Sequence, residues 1–272
     1  MIVAITLCPK KASFAPMLFT GRMEHGIRRA AELGCDAVEL NVQNPTLIDT
    51  VAIAELIASL GLTVTGIGTG QAYYEEGLSI SDTDTKVHEA AIQRLRVQVD
   101  FAQQLGGAAV IIGGMRGKLD GSPGGKSWSE QRQASIEGTR AAADYAAGRG
   151  VRVLIEPINR YETNFINSIA QGLEYLDEID HSNVSLLADT FHMNIEEVSL
   201  ADSILAAGER LTYTHLVDSN RRAAGMGHTD LKAVIGALHE IGYDGPLCAE
   251  VIPLPDDETA ARQHVEFVRA NW

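Results

Sequence analysis

The chain has 272 residues, with 36 acidic side chains against 22 basic ones and a formal net charge of −14. That length supports one large domain or two small ones, and the acidic balance argues against docking on phosphate backbones or anionic lipid. No apolar run reaches the length needed to cross a bilayer.

Met1 leads directly into Ile-Val-Ala-Ile-Thr-Leu, a first strand pattern with no basic leader before it. Strand patterns recur at residues 2–7, 37–41, 63–67, 108–112, 152–156, 184–189, 213–217 and 247–250. Helical spacing fills residues 22–33, 48–60, 84–105, 129–148, 168–179, 199–208, 230–241 and 258–270. Runs such as Ala-Ala-Val-Ile-Ile are continuously apolar rather than alternating, as expected of parallel strands covered on both faces. Eight strands alternating with eight helices predict an α/β fold, a (β/α)₈ barrel forming a single domain over 1–272. A doubly wound open sheet is the alternative architecture.

Gly34, Gly61, Gly106, Gly150 and Gly242 stand between a helix and the next strand, where a left-handed C-terminal cap belongs. Ser129 and Ser199 stand where N-caps are expected. Residues 113–126 hold six glycines and one proline after the fourth strand, and are expected to form a mobile lid or rim loop. Cys8, Cys35 and Cys248 are an odd, scattered set without a CxxC pair, the pattern of a reducing cytoplasm and of small buried apolar residues.

Active-site groups of such barrels come from the C-terminal ends of the strands. The last four strands end in or carry Glu156, Asp189, His215 and Glu250. Singly, each has an ordinary explanation: a loop carboxylate before Pro157, a helix N-cap, a core histidine, a rim ion pair. Together, three buried carboxylates repel and resist desolvation unless a divalent cation joins them. Three carboxylates and one imidazole suit Mn²⁺, Mg²⁺ or Co²⁺. Glu162, His192 and Arg221 follow in the same loops. Arg116, in the glycine-rich loop, is a candidate partner for a substrate carboxylate or phosphate. Two phosphate-loop look-alikes fail on spacing. Gly121 to Ser127 is one residue short, and Gly66-Ile-Gly68-Thr-Gly70 is GxGxG with no helix expected directly after it.

A metal holding a carbonyl and its neighbouring hydroxyl acidifies the hydroxyl-bearing carbon by stabilising an enediolate. Glu156 and Glu250, from separated strands, can then remove and return the proton on opposite faces. Inversion is epimerisation, and transfer to the neighbouring carbon is aldose–ketose isomerisation.

The stretches IEPINRYETNFINS, LLADTFHMNIEE, THLVDSNRRAAGMGHTD and AEVIPLP resemble the xylose-isomerase-like barrels that include D-tagatose and D-psicose 3-epimerases. The similarity covers nearly the whole chain. The GTGQAY segment and Arg116 look closest to the 5-keto-L-gluconate epimerase type. The resemblance implies one divalent ion per subunit, Mn²⁺ first and Co²⁺ or Mg²⁺ next, held by Glu156, Asp189, His215 and Glu250. It implies that Glu156 and Glu250 double as the acid–base pair in carbon-3 epimerisation of a ketose or keto sugar acid. It implies substrate contacts from Glu162, His192 and Arg221, with Gln71 and Arg116 added from the two shared segments. It also implies a homo-oligomer, dimer or tetramer; the cysteines point to the cytoplasm, and the acidic charge to no nucleic-acid or membrane partner. Where those epimerases carry aromatics near strands one and four, this chain reads Leu7-Cys8-Pro9 and Gly113-Gly114-Met115-Arg116, which favours a keto sugar acid. The alternatives are an isomerase of the hydroxypyruvate type, an endonuclease-IV-like phosphodiesterase and an inactive binding module.

Overall fold

The computed structural model describes residues 1–10 and 16–272. Strands β1 (Ile2–Leu7), β2 (Ala37–Asn41), β3 (Thr63–Gly68), β4 (Ala109–Ile112), β5 (Val153–Ile155), β6 (Val184–Asp189), β7 (Leu211–His215) and β8 (Pro246–Ala249) pair in chain order. All pairings are parallel, and Val3 opposite Leu247 closes β1 onto β8. The expected (β/α)₈ barrel is the fold, not the open sheet. Ala4, Ala37, Ile111, Leu154, Leu187, Tyr213 and Cys248 form a small cluster separate from the main core.

Helices α1 (Met23–Glu32), α2 (Thr50–Ser59), α3 (Gly70–Glu76), α4 (Thr85–Gln104), α5 (Lys126–Ala147), α6 (Ile169–Ile179), α7 (Thr190–Glu196), α8 (Leu200–Ala207), α9 (Leu231–Glu240) and α10 (Asp257–Asn271) connect and flank the strands. The five glycines expected to end helices all have positive φ, from 66° at Gly150 to 96° at Gly106. Ser199 caps α8 by accepting from the Asp202 amide at 3.2 Å. Ser129 does not cap α5, because that helix begins three residues earlier, after Gly125.

Two short helices differ from the sequence expectation. α3 starts at Gly70, the last glycine of the GxGxG segment, and α7 starts at Thr190, directly after β6. Seven residues leave too little room for an amphipathic period to register. Two strand irregularities matter for the site. One between Val38 and Glu39 sets Asn41 opposite Gly68. The other, between Leu186 and Leu187, brings Asp189 level with His215. Such irregularities re-aim side chains beside active sites.

The glycine-rich segment is pinned rather than free over its first half. Asn164 and Leu119 exchange hydrogen bonds at 2.8 and 2.9 Å, and Thr163 Oγ1 donates to the Gly117 carbonyl at 3.0 Å. Arg116 anchors the same contact from inside. It is fully buried, and its guanidinium donates to the carbonyls of Glu156 (2.8 Å), Phe165 (3.0 Å), Ile166 (3.2 Å) and Ile112 (3.3 Å). Burial pushes it down to about 10. It therefore does not meet a substrate carboxylate: it ties the end of β4 to the segment between β5 and α6. Arg116→Met keeps the stem and removes the donors, leaving the Glu156 and Phe165 carbonyls short of a charged partner. The expected cost is about 2–4 kcal/mol, measured as a fall in the denaturant midpoint at unchanged m-value.

Candidate metal centre and active-site cavity

Glu156 directly follows β5, Asp189 ends β6, His215 ends β7 and Glu250 directly follows β8. Four consecutive strands thus deliver one candidate ligand each to the same end of the barrel. His215 Nδ1 lies 3.5 Å from Asp189 Oδ2, 3.6 Å from Glu156 Oε1 and 3.9 Å from Glu250 Oε2. One donor atom from each of the four falls within 4.8 Å of the others. Donors at about 2.0–2.2 Å from a common ion stand roughly 3–4.4 Å apart. Asp189 Oδ2 and His215 Nδ1 are buried without hydrogen-bond partners. Buried, unpartnered ligand-type atoms gathered beside carboxylates are what a cation would satisfy, so the residues fit a divalent metal.

The imidazole is aimed from behind. His215 Nε2 donates to Glu39 Oε2 at 2.8 Å across the barrel, which leaves Nδ1 pointing at the quartet. Glu39 is fixed in turn by the Tyr213 hydroxyl at 2.8 Å and Thr6 Oγ1 at 3.3 Å. Such a carboxylate orients the ring and raises its basicity. Burial alone would depress the His215 imidazole, but Glu39, Asp189 and Glu156 outweigh it and hold it well above its ordinary value.

The carboxylates are held against their preference. Burial pushes Glu156 up, and burial with Glu156 and Asp189 nearby pushes Glu250 up to about 8. Burial also opposes Asp189, but the adjacent His192, then His215 and Arg221, overcome it and hold that carboxyl below its ordinary value. Asp189 serves twice: Oδ1 accepts the Phe191 and His192 amides at 2.8 and 3.4 Å, capping α7, while Oδ2 faces the quartet. The N-cap reading is therefore met, and Oδ2 is left facing the quartet.

The cavity above the quartet is lined by Glu162, His192, Arg221 and Gln71, together with Asn41, Thr69, Tyr74 and the Gly113–Gly114 backbone. Arg116, of the five expected substrate contacts, is absent from it. His192 is neutral, pushed down to about 3 by burial with Arg221 and His215 nearby. Its Nδ1 receives both the Asn159 backbone N–H (3.4 Å) and the Asn159 side-chain amide (2.7 Å). The backbone N–H can only donate, so Nδ1 accepts and Nε2 carries the proton. That N–H lies 3.9 Å from Glu156 Oε1 and from Asp189 Oδ2.

Arg221 donates to Glu250 Oε2 at 2.8 Å and Glu162 Oε1 at 3.3 Å, and lies 4.6 Å over the Phe191 ring. Its φ of 58° is rare for a side chain of this kind. Asp218 holds that conformation by accepting the amides of Ser219, Gly225 and Thr229 at 2.8–3.0 Å. Gly113 is needed for contact: a Cβ there would stand 2.5 Å from Glu156 Oε2.

Sequence reasoning missed Glu39, Asn41, Tyr74 and the role of Asn159. Glu39 carried a usable signal, a lone acid inside the strand Ala-Val-Glu-Leu-Asn. Tyr74 lies on α3, the helix that the pattern did not reveal.

Comparison with known proteins agrees with this geometry. A family model described as the xylose isomerase-like TIM barrel matches residues 27–271. The L-ribulose 3-epimerase of Methylomonas sp. strain DH-1 is 36% identical over 228 residues, covering 82% of this chain and 76% of that protein. The 3-dehydro-D-guloside 4-epimerase of Escherichia coli K12 is 25% identical over 248 residues, 89% of this chain and 92% of the other. The crystal structure of a Methylomonas D-allulose 3-epimerase in complex with D-allulose superposes with a TM-score of 0.82 at 28% identity, covering all of both chains. These relatives are epimerases, which are isomerase-class enzymes. This chain belongs to the xylose isomerase-like TIM barrel family.

Proposed function

We propose that this chain is a divalent-metal-dependent ketose 3-epimerase, with Mn²⁺ the expected ion and Glu156, Asp189, His215 and Glu250 its ligands. The observation that carries this reading is the pair of buried, unpartnered atoms Asp189 Oδ2 and His215 Nδ1, facing Glu156 and Glu250. The family's named 3-epimerases support the reaction type. When bound, the metal lowers the acidity barrier at the carbon next to the substrate carbonyl. Glu156 and Glu250, on strands separated by β6 and β7, remove and return the carbon-3 proton from opposite sides. Glu250, pushed up to about 8 without metal, is a proton carrier held by Arg221. Neutral His192 offers Nε2–H to a substrate oxygen.

A neutral ketose fits this cavity better than a keto sugar acid. Arg221 is the one arginine or lysine among the described lining residues, and Glu250 and Glu162 already engage it. Arg116, on which the sugar-acid expectation leaned, faces backbone carbonyls.

Incubation of the Mn²⁺-loaded protein with ketoses in D₂O is expected to place deuterium at carbon 3 with inversion, read by NMR. Exchange at carbons 1 and 2 instead would mean isomerisation. Glu156→Gln and Glu250→Gln should each lower exchange by about 10²–10⁴-fold.

Metal binding should release protons, because the ion displaces those kept on Glu250 and on His215 Nδ1. Raised values mean that the protons must leave before the ion binds, so affinity falls as pH drops from about 8. Calorimetry in buffers of different ionisation enthalpy measures the release; pH-independent binding would contradict the ligand set.

Glu39→Gln should weaken metal affinity by about 10–100-fold by loosening the imidazole, while leaving the melting temperature of the metal-free protein within a few degrees.

A further inference from the structure

The quartet occupies the β5–β8 side of the barrel mouth, and the facing wall comes from β2 and β3. On β2, inward side chains are two residues apart. Glu39 reaches across to His215, so Asn41 stands on the same inward face, about 6.6 Å nearer the mouth. Asn41 lines the cavity at only 7% exposure, yet its amide Oδ1 is buried and has no hydrogen-bond partner. Native proteins leave few buried polar atoms unmatched, and those at a cavity wall match what enters it.

The backbone makes room for this amide. Gly68 pairs with Asn41 in the β2–β3 register. A Cβ on Gly68 would stand 2.7 Å from Asn41 Nδ2 and 2.9 Å from its Cγ. Gly68 is not among the glycines with positive φ, and the nearest atoms to a Cβ there all belong to Asn41, so its missing side chain makes the seat of the amide. Gln71 and Tyr74, from the helix that begins two residues later, flank the same wall.

We propose that Asn41 is a substrate-binding residue whose amide oxygen accepts a hydrogen bond from a sugar hydroxyl beyond carbon 4. This rests on the ketose reading and states which end of the substrate is sensed. The carbonyl and carbon-3 hydroxyl belong with the quartet, and in this proposal the end of the sugar beyond carbon 4, rather than carbon 1, is set against the β2–β3 wall. A neutral amide oxygen suits a hydroxyl donor and gives a substrate carboxylate nothing to bind.

The test compares a ketohexose with the ketotetrose erythrulose, which has no hydroxyl beyond carbon 4, on Mn²⁺-loaded protein. Both carbon-3 exchange kinetics and calorimetric binding are measured, so Asn41 is tested whether or not turnover occurs. Asn41→Ala is expected to raise KM and Kd for the ketohexose by about 3–10-fold, with kcat, metal affinity and melting temperature retained. Values for erythrulose should stay unchanged. Gly68→Ala, which displaces the amide without deleting it, should give the same selective loss. Equal losses on both sugars, or none on either, overturn the proposal. A wild-type protein that binds both sugars but exchanges carbon 3 of neither overturns the epimerase reading, while the binding arm still decides Asn41.

Discussion

The 2.8 Å hydrogen bond between Glu39 and His215 spans the barrel from β2 to β7, and the candidate site is arranged around it. It occupies one imidazole nitrogen and thereby commits the other to the quartet. It also explains why an acid is tolerated inside an apolar strand: three donors, from His215, Tyr213 and Thr6, close on one carboxylate. Without those donors its desolvation would be too costly for a barrel interior. The strand irregularities in β2–β3 and β6–β7 are the backbone counterpart, since they set the level at which Glu39, Asn41, Asp189 and His215 emerge.

Above this bond the site is electrostatically unsettled, whereas the shell around it is settled. Glu156 and Glu250 sit above their ordinary values, and Arg221 holds a left-handed backbone conformation to reach Glu250 and Glu162. Strain and repulsion of this kind persist only where surrounding structure over-determines them. Here that structure is identifiable. Arg116 clamps the segment that carries Glu162, Asp218 gathers the loop that carries Arg221, and Asn159 fixes the His192 ring. None of the three faces the quartet's side-chain atoms, and each decides where one of their neighbours points.

Most of the fold was legible because parallel strands buried on both faces leave continuous apolar runs, and glycines mark the turns between units. The quartet was legible because barrel chemistry gathers at strand ends, so listing four strand ends listed four candidate ligands. What escaped has a physical reason in each case. Short α3 and α7 carry too few turns for periodicity. Ser129 has the chemistry of a cap but lies inside α5, whose N-terminus has only Gly125. Arg116 was read by its charge and its loop, but four backbone carbonyls converge on it, and a sequence does not display where carbonyls point. Asn41 looked like an ordinary strand terminator, because its neighbour across the register, Gly68, is 27 positions away in the chain.

Asp189 has a consequence for descent with change. One of its oxygens caps α7 and the other faces the quartet, so the folded state retains a use for it even without chemistry. Glu156 has no such second employment and Glu250 has only its bond to Arg221; burial holds both above their ordinary values in the empty protein. In a lineage released from catalysis, drift would erase the two glutamates first and leave the aspartate standing. Under the proposed acid–base role of the pair, an aspartate at this position is weak testimony to activity in a distant homologue, and an intact glutamate pair is strong testimony.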